Sequence, residues 1–291
     1  MKRSIIASIV LLLCAVSVVR ADEVRVQTLM VPDVIDDPVN ISIFPHQMVQ
    51  YANCLWGDIH RTAAEDFGII FSPGPRFGAL ALWQQSGDLV PGFNFGYGRR
   101  LFRFDLGFSG MYMSDHKHFG IGVGRTFFSK RVDLSFQYND DINTKWYRIN
   151  QHSLFRKGDY ILAYRYAFVQ HREPNDYLNH RIALSIQRLV LSEGFVHVSA
   201  EYIIQSGDFF EDFLDLYAGA ELPLSRTFVF RLGMMEELNA DMVPISFEFQ
   251  PGIGMRIREF TLDFQFNKDR LHHKEATLVN SFGVDLNFGG F

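Results

Sequence analysis

From about residue 53 to residue 288 the chain alternates, with large apolar side chains at one parity and small or polar ones at the other. A period of two puts successive side chains on opposite faces of a strand, so this stretch predicts half-buried β-strands throughout. In 102–113, Phe102, Phe104, Leu106, Phe108 and Tyr112 share a face, opposed by Arg103, Asp105, Gly107 and Ser109. In 131–139, Val132, Leu134, Phe136 and Tyr138 oppose Arg131, Asp133, Ser135 and Gln137. The same split recurs in 160–170 and again where Phe260, Leu262, Phe264 and Phe266 oppose Thr261, Asp263 and Gln265. Any half-buried antiparallel sheet alternates, a soluble sandwich included. Three features argue for the inverse arrangement, apolar side outward. The apolar face is built of Phe, Tyr and Leu, with 29 Phe in the chain, where soluble cores lean on Val, Ile and Ala. The other face is rich in Gly and small polar residues and poor in the Lys and Glu that cover soluble surfaces. The segments also recur at the ~10-residue length of a strand crossing a bilayer at a tilt.

The expected fold is therefore all-β, a transmembrane antiparallel up-and-down β-barrel, closed because lipid leaves no edge strand solvated. Connectors counted back from the C-terminus alternate between long, charged loops (Asn267–Val279, His171–Leu178) and short turns (Ile257–Glu259, Leu222–Arg226, Arg156–Asp159, Phe128–Arg131, Gly98–Leu101). Counted this way there are about sixteen strands, or fourteen if the short segments 53–59 and 66–72 are not strands. The long loops fall outside, and both mature termini fall on the periplasmic side. A barrel of this size is too wide for one layer of wall side chains to fill, so an aqueous channel or a plug is expected.

The N-terminus, MKRSIIASIVLLLCAVSVVRADE, has a charged start, an apolar run from Ile5 to Val19 and small residues before Asp22. That is the layout of a secretory signal peptide over 1–21, with the barrel over 53–291 and a separate segment, 22–52, either periplasmic or plugging the lumen. Acylation at Cys14 would need a small preceding residue, and Leu13 stands there. Cleavage after Ala21 removes Lys2, Arg3 and Arg20 from the 28 basic side chains and none of the 33 acidic ones, leaving a net charge of −8. With no basic block, nucleic acid is excluded as the expected partner. Cys54 would be left alone, so no intramolecular disulfide can form. The expected partners are outer-membrane lipids, the barrel-assembly machinery and a small solute.

Alternation directs Arg103, Asp105, Asp133, Arg165, Glu201, Arg231, Glu248, Arg256, Asp263 and Asp285 into the lumen. They could set the selectivity of a pore or hold the barrel's shape as mutual ion pairs. Glycines gather on the same face (Gly96, Gly98, Gly120, Gly122, Gly124, Gly252, Gly254). Lying within strands, they leave room in the lumen rather than form a phosphate loop, which needs a helix after it. His197, Ser199 and Glu201 share a strand face at i, i+2 and i+4 and are the one candidate catalytic set. Asp115–His118 and His272–His273 are expected in outer loops, without the ligand spacing of a metal site. No cofactor or metal is expected.

Taken together these patterns resemble the bacterial outer-membrane β-barrel proteins, porins among them. The His197-Val-Ser199 pair is similar to the His-x-Ser strand motif of outer-membrane lipid A acyl hydrolases, which would imply ester hydrolysis; here the alternation turns it inward. Asp36-Asp37-Pro38 followed by Phe44-Pro45-His46 resembles the Asp-Asp-Pro…Asn-Pro-Ala segment that opens barrels of the long-chain fatty-acid transporter class, which would imply a conduit for hydrophobic ligands. The last segment, SFGVDLNFGGF, resembles the C-terminal assembly signal of such barrels, carried by Ser281, Gly283, Val284 and Leu286, with Phe288 ending the closing strand and Phe291 a recognition handle beyond it.

Overall fold

The computed structural model describes residues 23–30, 37–51, 53–60, 66–74, 76–84, 93–112, 116–141, 144–173, 176–191, 194–206, 212–271 and 277–287. The expected signal peptide, Cys14, Asp115, His272, His273, Phe288 and Phe291 lie outside these residues. The chain forms a single closed barrel of sixteen antiparallel strands, each hydrogen-bonded to its neighbours in sequence. In order they are β1 (Cys54–His60), β2 (Asp66–Gly74), β3 (Gly78–Gln84), β4 (Asn94–Leu101), β5 (Phe104–Tyr112), β6 (His116–Phe127), β7 (Lys130–Asp141) and β8 (Lys145–Lys157). There follow β9 (Tyr160–Glu173), β10 (Tyr177–Val190), β11 (Gly194–Ser206), β12 (Phe213–Pro223), β13 (Phe228–Asn239), β14 (Pro244–Ile257), β15 (Phe260–Phe266) and β16 (Val279–Asn287). β1 closes on β16, from Cys54 opposite Asn287 to His60 opposite Ser281. Both short segments, 53–59 and 66–72, are strands.

The wall is apolar outside and polar within. Phe95, Leu106, Phe108, Ile121, Leu134, Ile186 and Val198 stand 39–67% exposed on the outside. Asp105, Asp133, Ser185, Ser199, Asp263 and Asp285 are buried inside. This is the reverse of a soluble sheet, and an exposed apolar band running around a barrel is what a hydrocarbon solvent selects.

Two connectors differ from expectation. The turn expected at Gly98–Leu101 lies two residues later: Arg100 pairs with Asp105 and Leu101 with Phe104, leaving Phe102 and Arg103 as the turn. Both have positive φ, 49° and 73°, the twist a two-residue hairpin requires. Arg103 is therefore an exposed turn residue and not part of the lumen wall. His116, Lys117 and His118 are not in a loop but open β6. His116 is buried, its Nδ1 3.2 Å from Asp141, and the His118 ring lies edge-on to Trp146.

The strands are also unequal. β8 to β11 run 13 or 14 residues, while β1, β3 and β15 have 7. Above the short β15, β14 loses its partner: pairing with β15 covers only Gly252–Ile257. Glu248 has inward parity but stands at this open rim, half exposed, 4.0 Å from Lys268. It is not within the lumen.

Candidate functional site

The lumen holds the segment that precedes the barrel. Helix α1 (Glu23–Leu29) and two 3-10 turns, Pro38–Ser42 and Pro45–Val49, pack against the inward side of the wall. Each turn begins with a proline, whose fixed φ and missing N–H suit the first position of a helical turn. The turns close on themselves: the amide N–H of Asn40 donates to the Asp37 carbonyl at 3.0 Å, and that of Gln47 to the Phe44 carbonyl at 2.9 Å. Leu29, Ile41, Phe44, His46, Gln47 and Met48 are 0% exposed. A segment with this much apolar surface gains roughly 25 cal/mol per Å² by leaving water, and the lumen is where it does so.

The inward glycines are its seat. A Cβ on Gly107 would lie 2.5 Å from the His46 backbone, and one on Gly233 would lie 2.6 Å from the Leu29 carbonyl carbon. Met48 lies against Gly98 and His46 against Gly122 in the same way. The glycines first read as leaving room in the lumen leave it for this segment.

Two charged clusters tie it down, both near the end of the barrel that carries the short turns. In the first, Glu221 on β12 receives three guanidinium groups. Arg25 Nε and Arg231 Nε each donate to its Oε2 at 2.8 Å, and Arg256 Nη2 donates to Oε1 at 3.5 Å. Arg25 also donates to Asp37 at 3.0 Å, and Arg231 pairs with Asp263. Burial opposes the charge on Arg25, but Glu221 and Asp37 outweigh it and raise its pKa. In the second, Asp133 on β7 meets His46 Nε2 at 2.7 Å, Gln47 Nε2 at 3.3 Å and Arg131 Nη2 at 2.8 Å. Arg131 continues to Asp105 at 3.3 Å, and Asp105 accepts from Arg100 at 2.7 Å. Removing one partner from such a buried pair costs about 3–5 kcal/mol, since the remaining charge stays buried.

Between the clusters the contact is apolar. Ile41, Met48 and Tyr51 join Cys54, Trp56, Ile70, Ala79, Ala81 and Trp83, so the inward faces of β1 to β3, where Asp58 and Ser72 are the buried polar residues, are largely apolar. Their signal was visible as tryptophans and alanines at the inward parity of 54–56 and 79–83.

Of the residues directed inward by alternation, Asp105, Asp133, Arg165, Glu201, Arg231, Asp263 and Asp285 are buried there, and Arg256 points there at intermediate exposure. The wall places Arg231, Arg256 and Asp263 together and joins Asp105 to Asp133 through Arg131. Arg165 lies on β9 opposite His152, whose Nδ1 is 3.7 Å from Asp133, while Glu201 lies on β11 nearer its long-loop end. Arg25 and Glu221 were not singled out from sequence; Arg131 was read on the polar face of its strand and His46 in the Phe44-Pro45-His46 stretch, neither as an anchor of the segment. Arg25 sits next to the expected cleavage site, and Glu221 borders an expected turn.

The His197-Ser199-Glu201 set faces inward. His197 Nδ1 is 3.2 Å from Ser199 Oγ, and its Nε2 donates to the Leu29 carbonyl at 3.1 Å. Ser199 donates to Ser185 at 2.8 Å, and Glu201 accepts from Tyr217 at 3.5 Å. His197 and Ser199 are 2% and 3% exposed. The pair has the contact that nucleophile activation needs, but it is buried inside the barrel, with the histidine tied to the Leu29 carbonyl of α1 and the serine to Ser185. On the closing strand, Ser281, Gly283 and Asp285 face inward, and Phe282, Val284 and Leu286 outward; Ser281 donates to Gln265 at 2.5 Å. Among the described residues no three His, Cys, Asp or Glu side chains are placed to hold a metal ion.

No family model and no curated protein matches the chain. Solved structures do. A bacterial polysaccharide outer membrane secretin aligns with a TM-score of 0.59 at 10% identity, over 80% of this chain and 97% of that one. A porin aligns at 0.50 and 10% identity, over 80% and 98%. The outer membrane protein OmpT of Vibrio cholerae, folded in vitro, aligns at 0.49 and 10% identity, over 79% and 95%. At such identity the likeness is one of fold, and the chain has the fold of the bacterial outer-membrane β-barrels.

Proposed function

We propose that the protein resides in the outer membrane as a conduit for small polar solutes, closed at its short-turn end by its own N-terminal segment. Passage follows when that segment shifts. The observation that carries this reading is the kind of contact holding the segment. Glu221 and Asp133 bind it through ion pairs and hydrogen bonds on either side of its apolar contact with β1 to β3. Water can replace such contacts as the segment moves, whereas a permanent filling is served better by apolar packing alone. Inserted into planar bilayers, the wild-type protein should open rarely. Asp133→Asn with Glu221→Gln should open more often and to a larger conductance. A silent bilayer with both proteins would contradict the proposal and favour a scaffold.

The rival reading, an acyl hydrolase, has the His197–Ser199 contact in its favour. It needs a lipid ester to reach a serine that faces the lumen and is 3% exposed. Ser199→Ala should leave the acylation of outer-membrane lipid unchanged; altered acylation would revive it.

A further inference from the structure

The outward face of the wall is not uniform at the short-turn end. Arg99 on β4, Arg125 on β6, Lys130 on β7, Lys157 on β8 and Arg188 on β10 have outward parity there. Among the described residues, no strand from β11 through β16 and on to β3 carries an outward Lys or Arg. Nor do β4 to β8 carry an outward Asp or Glu at that end, since Asp105 and Asp133 both turn in. The outward cations of the strands themselves therefore gather on one arc at this end. The exposed arginines elsewhere at this end, Arg76, Arg226 and Arg258, lie in turns, and the exposed acid within the arc, Asp159, lies in the turn between β8 and β9, away from Arg99 and Arg125.

Three of these cations, Arg125, Lys130 and Arg188, lie against aromatic rings. The Arg125 guanidinium lies 4.7 Å from the Phe104 ring and 4.2 Å from the Phe127 ring. Lys130 Nζ is 4.1 Å from the Phe155 ring. A guanidinium stacked by its face keeps its N–H donors, which lie in its plane, available to a phosphate. Arg125 Nε is covered by its neighbours, so the donors offered outward are those of its terminal nitrogens. Directly above, a groove of about 780 Å³ is cut into the apolar face, lined by Leu106, Phe108, Ile121, Leu134 and Ile149, with Arg99 at its edge. That volume falls in the ~300–1,000 Å³ range of ligand sites.

We propose that this groove and its basic edge form a binding site for one anionic phospholipid, the acyl chain lying in the groove and the headgroup phosphate on Arg99 and Arg125. Charge decides the lipid class: cations with no nearby acid attract a net negative headgroup more strongly than a zwitterionic one, whose own ammonium offsets the phosphate.

The proposal rests on the outward face lying in lipid, and the experiment separates the two. The protein is placed in nanodiscs of phosphatidylcholine and phosphatidylglycerol, released in the gas phase, and its retained lipids are weighed by native mass spectrometry. Wild type should keep phosphatidylglycerol in preference to phosphatidylcholine by about tenfold, the scale of a lost charge-assisted hydrogen bond. Arg99→Gln with Arg125→Gln should abolish that preference, Arg99→Lys with Arg125→Lys should keep most of it, and Arg188→Gln, off the groove, should leave it intact. Heat-modified gel mobility reports whether each variant is a folded barrel; the wild-type preference decides the matter even if one is not. Equal retention of the two lipids by wild type, or loss of the bound lipid to millimolar inorganic phosphate, would overturn the proposal. A protein that fails to enter nanodiscs at all would overturn the membrane reading instead.

Discussion

Glu221 is the residue on which the plugged arrangement turns. Its carboxylate joins Arg25 of α1 to Arg231 and Arg256 of the wall, and it is 0% exposed. Glu221→Gln keeps the shape and removes the charge, depriving two buried cations, Arg25 and Arg231, and the partly buried Arg256 of their shared partner. The expected loss is about 3–5 kcal/mol, read as a lower urea midpoint in detergent and faster proteolysis near Arg25. An unchanged midpoint with unchanged proteolysis would show that α1 is held by something else. Gly107 tests the seat rather than the charge. A valine there would drive its Cβ into the His46 backbone, which lies 2.5 Å from that position. Overpacking of this kind costs about 1–3 kcal/mol. The barrel should still form, and the segment around His46 should become cleavable by added protease. Protection equal to wild type would mean that the turn at Pro45–Val49 does not depend on this glycine.

At the scale of elements, the turns show where the chain departs from local preference. Phe102 and Arg103 close the β4–β5 hairpin with positive φ, and Phe128 and Leu191 do so in other short turns. Bulky side chains in that region cost on the order of 1–3 kcal/mol each. Phe102→Asn with Arg103→Gly should raise the thermal midpoint of the refolded barrel, because Asn-Gly is the sequence such a turn favours. A fall in the midpoint would show that Phe102, 94% exposed, is held by contacts outside the chain. The same hairpin shows why the sequence reading was two residues early. Gly98 and Leu101 look like turn residues, but Gly98 is an inward strand position kept small by Met48, and Arg100 reaches across the strand pair to Asp105. Strand number, strand direction and which face meets lipid were all legible, because each follows from parity. A lumen plug was one of two alternatives read for 22–52; the contacts that seat residues 23–30 and 37–51 there were not legible, since they depend on pairs such as His46–Asp133, 87 residues apart, and Arg25–Glu221, 196 apart. Alternation reports which side a residue faces and nothing about what meets it there.

For the whole molecule, a sixteen-stranded wall encloses more space than one layer of its own side chains fills, and the chain meets that need with its own N-terminus. The short-turn end is consequently the occupied one. Glu201, Asp215 and Tyr217 lie toward the long loops, and Arg165 faces the lumen from the middle of β9. Neutralising Arg165 should shift the reversal potential of any open state toward cations; an unchanged potential would remove Arg165 from the path. The most direct test locks the segment in place within one molecule. Thr28 Cγ2 lies 2.5 Å from where a Cβ on Gly252 would sit, so Thr28→Cys with Gly252→Cys, in a Cys54→Ser background, should form a disulfide between α1 and β14. Single-channel recording of that protein should show a silent bilayer when oxidised and discrete openings after reduction. Equal conductance in both states would contradict the account of the N-terminal segment as a movable plug.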